Sequence, residues 1–190
     1  MDEAGRGPLA GPVVAAAVIL EPTARIRGLD DSKRLPREER ERLFGLIQAR
    51  ALAVSVGVVD SGTIDRVNIL EATRLAMEAA LGGLMVAPEL VLTDFVRVRL
   101  ADCRQENLVR GDQRSATVAA ASIVAKVTRD RLMEQADREY PLYGFGRHKG
   151  YGTPDHRAAL LHHGPCPLHR RSFSGVWQQG ELFVIEDGEI

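Results

Sequence analysis

Hydrophobic and polar positions divide the chain into strand-length and helix-length segments. Pro12 to Leu20 (PVVAAAVIL) is apolar throughout, follows Gly11 and stops at Glu21-Pro22, which predicts a strand buried on both faces. Thr23 to Leu35 reads as loop. Pro36 opens a helix whose apolar face is Leu43, Phe44, Leu46 and Ile47. Ala51 to Val59 is a second strand, rich in β-branched residues and broken by Asp60-Ser61-Gly62. Asn68 caps a helix with Leu70, Thr73, Leu75, Met77 and Ala80 on its apolar side, and Gly82-Gly83 ends it. Glu89 to Thr93 is a third strand, ending at Asp94, and an extended segment is expected around Asn107 to Arg110. A long helix from about Ser115 to Tyr140 carries a small-residue face (Ala116, Ala119, Ala120, Ile123, Val127), which predicts close packing on a sheet, and Pro141 stops it. Short helices are expected at Pro154 to His163 and Ser172 to Gln179. Strands alternating with helices give an α/β or mixed α+β layer. The segment from about residue 145 to 190 decorates that core as a helical extension of a single domain.

The 190 residues are 45% hydrophobic, enough for a full core, and the formal net charge of −1 selects no partner. Local charge says more. Between Pro141 and Gly175 lie Arg147, Lys149, Arg157, Arg170 and Arg171 against Asp155 alone, and all five histidines (His148, His156, His162, His163, His169) fall there too. Glu181, Glu186, Asp187 and Glu189 follow in a tail without Lys or Arg. A basic patch before an acidic tail is a weak sign of nucleic-acid binding. Cys103 and Cys166 are far apart and outside any CxxC pattern, so free thiols are expected. With no signal-peptide pattern and no membrane-length apolar run, a soluble cytoplasmic protein is expected.

The candidate chemistry begins at MDEAGRGPLAG. Asp2 and Glu3 could hold a divalent metal, and Gly5-Arg6-Gly7 beside them could let backbone approach a phosphate or sugar closely. The ordinary alternative is a solvated chain end. Asp94 closes an apolar strand, where sites are often built, though turn acids and caps occur there as well. Asp112 precedes the long helix and could equally be its N-terminal acid. Asp2, Glu3, Asp94 and Asp112 form a set of hard oxygen ligands that one sheet could gather around Mg²⁺ or Mn²⁺, and two such ions can catalyse in-line displacement at a phosphate. Zinc is disfavoured, because neither cysteine has a ligand-spaced partner. Asp130 and Asp137, beside Arg129, Arg131 and Arg138, read as solvated helix-face ion pairs.

Across nearly the whole chain the sequence resembles bacterial ribonuclease HII. The matching motifs are DEAGRGPLAGPVVAAAVIL near the start, LDDSKRL at 29–35, NILEATRLAM at 68–77, GDQRSATVAAASIVAKVTRDRLM at 111–133, HKGYGT at 148–153 and GPCPLHRRSF at 164–173. The resemblance implies an RNase H-like mixed sheet flanked by helices, with a helical C-terminal extension. It implies endonucleolytic cleavage of RNA in RNA/DNA hybrids and on the 5′ side of single ribonucleotides in duplex DNA. Products would carry a 3′-hydroxyl and a 5′-phosphate, and the resemblance implies a part in ribonucleotide excision repair and DNA replication. The family's four metal-binding acids match Asp2, Glu3, Asp94 and Asp112, with Mg²⁺ or Mn²⁺ as the implied cofactor. Its 2′-hydroxyl-sensing loop matches Gly5, Arg6 and Gly7, and its deoxyribose-stacking tyrosine matches Tyr151. Lys33 is similar to a residue that approaches the phosphate backbone, and Lys149, Arg170 and Arg171 would add phosphate contacts. His148 and His169 lie inside family motifs; His162 and His163 read as surface residues. Two departures stand out. Phe95-Val96 replaces the glycine and asparagine that commonly follow the third acid, and no apolar strand precedes Asp2-Glu3. The second departure keeps an alternative open: a protein that grips hybrid or junction duplex without cutting it. On the resemblance, a monomer is expected.

Overall fold

The computed structural model describes residues 1–21, 23, 25–93, 96–99, 103–108 and 111–176, with only the backbone described at 112 and 113. Three antiparallel strands, β1 (Asp2–Ala4), β2 (Val13–Leu20) and β3 (Ala51–Val59), lie in the order β1-β2-β3. A parallel pair, β4 (Leu90–Thr93) and β5 (Arg104–Asn107), lies beyond them. The Met1 amino group donates to the Leu92 carbonyl at 2.8 Å, which joins the start of β1 to β4.

β2 is buried on both faces, as its unbroken apolar run predicts. Val13, Ala15 and Ala17 pack with Ala72, Ala76, Met77 and Ala80 of helix α3 (Ile69–Gly82). Ala16 and Val18 pack the other way, with Leu43 and Ile47 of helix α1 (Arg37–Arg50) and with Ala120, Ile123 and Val127 of helix α5 (Ala116–Glu139). Period-two alternation in one strand therefore feeds two cores.

Two helix faces differ from expectation. In α3 the buried stripe is Ala72, Thr73, Ala76, Met77 and Ala80, whereas Leu70 and Leu75 point outward. The reason lies across the sheet: a Cβ on Gly57 of β3 would run into the Ala76 carbonyl, so α3 sits directly on the strand and only small side chains fit between them. In α5, Ala119, Ala120, Ile123 and Val127 are buried as expected, but Ala116 in the first turn is exposed.

Other corrections are local. Asp60 does not simply end β3. Its carboxylate accepts from the Thr63 N–H at 2.7 Å and starts helix α2 (Ser61–Val67). Of the extended segment expected at 107–110, Asn107 ends β5, and residues 109 and 110 lie outside the described residues. The pattern does not resolve two short elements beside α5: α4 (Gly111–Arg114) before it and a 3₁₀ turn at Pro141–Tyr143 after it. Helices α6 (Phe145–His148) and α7 (Pro154–His163) follow, the latter with the expected bounds. Within the last expected helix, Ser172 to Gly175 form turns and bends, and residues from 177 on, including the acidic tail, lie outside the described residues. Cys103 and Cys166 are free. Among the described residues no helix is long and apolar enough to cross a membrane.

Candidate active site

β1 is too short and too polar to show in a hydrophobicity pattern. Pairing makes it a strand: Asp2, Glu3 and Ala4 stand opposite Ala16, Ala15 and Val14 of β2. Asp2 and Glu3 are thus part of the sheet, with the buried Met1 anchored behind them. The Asp2 carboxyl is raised to about 7, first by burial and then by the charge of Glu3, while a hydrogen bond from Ser122 of α5 works the other way. Ser122 in turn shares a 2.9 Å hydrogen bond with the buried hydroxyl of Ser32, next to Lys33. Glu3 pairs with Arg6 at 3.3 Å.

Asp94 lies outside the described residues, and of Asp112 only the backbone is described, within α4. Among the described residues no group of three or more His, Cys, Asp or Glu is arranged to hold a metal. Asp2 and Glu3 nevertheless suit a divalent cation. Two adjacent carboxylates, one forced toward its neutral form by burial, are chemically short of positive charge.

A cavity of about 820 Å³ opens beside them, lined by Glu3, Gly5, Gly7, Lys33, Lys126 and Tyr151 among others. Its roof is the Gly5–Gly7 turn, where Gly5 has φ +92°. A Cβ on Gly7 would lie 4.0 Å from the Tyr151 ring, so the exposed glycine and the 44% exposed tyrosine face each other at the mouth. Lys33 is exposed on the rim. Arg40, Lys126 and Arg129 complete a cationic wall that sequence reasoning passed over. Lys126 donates to Asp130 at 2.6 Å, and Arg40 approaches the same carboxylate. Asp130 is therefore a partly buried counter-ion in that wall rather than a solvated pair. One signal was available: Ser122, Lys126 and Asp130 recur every four residues on α5, a polar stripe on an otherwise small and apolar helix.

Three other expectations change. Arg170 is completely buried, and its guanidinium donates to the carbonyls of Gly5, Arg6 and Gly11 at 2.6–3.0 Å, so it shapes the loop from below instead of reaching outward. Lys149 is turned inward onto Glu134 (2.8 Å) and the Gly146 carbonyl (2.7 Å). Asp137 faces α6, with one carboxylate oxygen buried and unpartnered. Arg171 is exposed, its backbone N–H held by Asp65.

Behind Tyr151 stand three stacked or hydrogen-bonded imidazoles. The Cys166 N–H donates to His169 Nδ1 at 3.0 Å, which leaves His169 Nε2–H to donate to His156 Nε2 at 3.0 Å. His156 Nδ1–H then donates to the Tyr151 carbonyl at 2.9 Å. His148 stacks on His156 with ring centres 4.5 Å apart. His156 and His169 are neutral in this arrangement, and burial followed by the neighbouring His156 pushes His169 down to about 4. Burial also lowers His156.

An acid-bearing strand between the doubly buried β2 and the parallel pair it meets through Met1, with helices on both faces of the sheet, places the molecule in the ribonuclease H class. Its backbone superposes on ribonuclease H2 from Pyrococcus horikoshii with a TM-score of 0.80 at 27% identity, covering 92% of both chains. It also superposes on ribonuclease HII from Archaeoglobus fulgidus, solved in complex with PCNA, with a TM-score of 0.77 at 27% identity over 90% of this chain and 92% of that one. Residues 1–176 match the ribonuclease HII family, and the chain belongs to that family of RNase H-type endonucleases. It is 57% identical to ribonuclease HII 1 of Methylibium petroleiphilum, over 93% of this chain and 89% of that protein. It is 55% identical to ribonuclease HII of Geobacter metallireducens, over 93% and 83%.

Proposed function

We propose that this chain cleaves RNA in RNA/DNA hybrids, and duplex DNA on the 5′ side of a single ribonucleotide, leaving a 3′-hydroxyl and a 5′-phosphate. The observation that carries the reading is one cavity bordered by Glu3 of β1, the Gly5–Gly7 turn and the Tyr151 ring. Acids, sugar-reading backbone and an aromatic face are what a junction-specific nuclease has to bring together. Divalent ions, Mg²⁺ or Mn²⁺, held by Asp2, Glu3, Asp94 and Asp112 would supply a Lewis acid for the attacking water and counter-charge for the departing 3′-oxygen.

The chain's own residues handle recognition. Backbone of Gly5–Gly7 approaches the 2′-hydroxyl, the group that distinguishes RNA from DNA. The Tyr151 face packs on the neighbouring deoxyribose, where an added hydroxyl would clash. Lys33 contacts a phosphate from the rim, and the cationic wall behind it draws the duplex in. The cutting reading is supported over the non-cutting one by the anchoring of Asp2 and Glu3 through β2 and the Met1–Leu92 hydrogen bond.

The test is a labelled DNA duplex containing one ribonucleotide, incubated with Mg²⁺ or Mn²⁺ and with an EDTA control, followed by mapping of the product ends. Metal-dependent scission 5′ to the ribonucleotide is expected. Binding without scission in either metal would restore the gripping protein.

A further inference from the structure

Two arginines lie fully buried, side by side, beneath the Gly5–Gly7 turn, and neither has a carboxylate in an ion pair among the described residues. Their donors go to backbone instead. Arg170 Nη1 donates to the Arg6 carbonyl at 2.9 Å, Nη2 to Gly5 at 2.6 Å and to Gly11 at 2.8 Å, and Nε to Gly11 at 3.0 Å. Arg129 Nε donates to Pro12 at 2.9 Å and Nη2 to Ala10 at 3.2 Å. Burying like charges together is costly. Burial and the proximity of Arg129 push Arg170 down to about 9. Apolar side chains could have filled the same volume.

The carbonyl bonds have a geometric consequence. In a planar trans peptide the C=O and the following N–H point in opposite directions. Drawing the Arg6 carbonyl down onto Arg170 therefore turns the Gly7 N–H up, away from the protein interior. Gly7 is exposed, lines the cavity mouth opposite Tyr151, and its N–H has no partner among the described residues. Gly5 has to be glycine for the same reason: a Cβ there would collide with the Arg129 guanidinium.

We propose that Arg170, backed by Arg129, is the positioning residue of the substrate-reading turn: by holding the Gly5 and Arg6 carbonyls inward it aims the Gly7 N–H at the ribose 2′-oxygen and so sets the preference for ribose over deoxyribose at the cleaved junction. The inference rests on the functional reading above. Lysine cannot replace this arginine, because a point-like ammonium does not reproduce a planar fork that reaches three carbonyls at once.

The test compares affinities for two duplexes of one sequence, with a single ribonucleotide and all-deoxy, with Ca²⁺ in place of Mg²⁺, in the wild type and in Arg170→Lys. The wild type should favour the ribonucleotide duplex by about five- to tenfold, the scale of one well-aimed hydrogen bond. Arg170→Lys should bring that ratio close to one while all-deoxy affinity changes by less than about twofold; a loss of general folding would lower both together. A folded Arg170→Lys that keeps the full ratio, or that loses both affinities equally, overturns the inference and leaves the functional reading standing. A wild type that binds both duplexes equally overturns the functional reading itself. If Arg170→Lys does not fold, the ¹⁵N–¹H resonance of Gly7 in the wild type decides. It should shift with the ribonucleotide duplex and not with the all-deoxy one; an equal response to both overturns the inference.

Discussion

Acid should loosen this protein through His169. His169 is buried and neutral, accepts from the Cys166 N–H and donates to His156. Its ordinary value near 6.5 falls to about 4 in the folded chain, through burial first and His156 second. Above pH 6.5 both folded and unfolded chains hold a neutral ring, and the network's stabilisation is complete. Between pH 6.5 and 4 the unfolded chain takes up a proton that the folded chain refuses, so stability drains away as pH falls. A shift of two to three pKa units corresponds to ~3 kcal/mol, which for a domain of this size is roughly 6–12 °C in Tm. His156, lowered in the same direction, adds to the loss.

The assay is urea unfolding of the wild type and of His169→Asn at pH 7.5 and pH 4.5. Asparagine keeps an acceptor for the Cys166 N–H but does not titrate. At pH 7.5 the variant should be less stable, by about 2 kcal/mol, because His156 loses its donor. At pH 4.5 that gap should close or reverse, since only the wild type pays for refusing the proton. Carboxylates common to both proteins cancel in the difference. A gap of constant size at the two pH values would refute the buried neutral relay.

Two further substitutions test the sheet and the acids. Gly57→Ala places a Cβ against the Ala76 carbonyl and should cost about 2–4 kcal/mol in urea unfolding, as α3 is forced off β3; a loss below about 1 kcal/mol would show that the helix is not seated directly on the strand. Asp94→Ala or Asp112→Ala should abolish metal-dependent cleavage of the ribonucleotide duplex while largely sparing its binding, and wild-type rates in either would remove that residue from the ligand set.

Much of this molecule was legible one residue at a time. The bounds of β3 and α7, the burial of β2 on both faces, the cap at Asn68 and the helix start at Pro36 follow from local pattern, because short-range sterics and period decide them. Motif likeness placed Asp2, Glu3, the Gly5–Gly7 turn and Tyr151 in one site before any coordinates, and the cavity brings Glu3, the turn and Tyr151 together. Other features exist only through long-range partners. β1 is a strand because β2 pairs with it, and α3 buries alanines rather than leucines because Gly57 lets it approach. Charge alone could not distinguish a cation that meets phosphate from one that meets carbonyls. Arg170 and Arg171 are neighbours with the same side chain, yet one is sealed under the loop by Gly5, Arg6 and Gly11 and the other is exposed. Chain order fixed which groups were available, and only packing decided which of them water, and hence substrate, can reach.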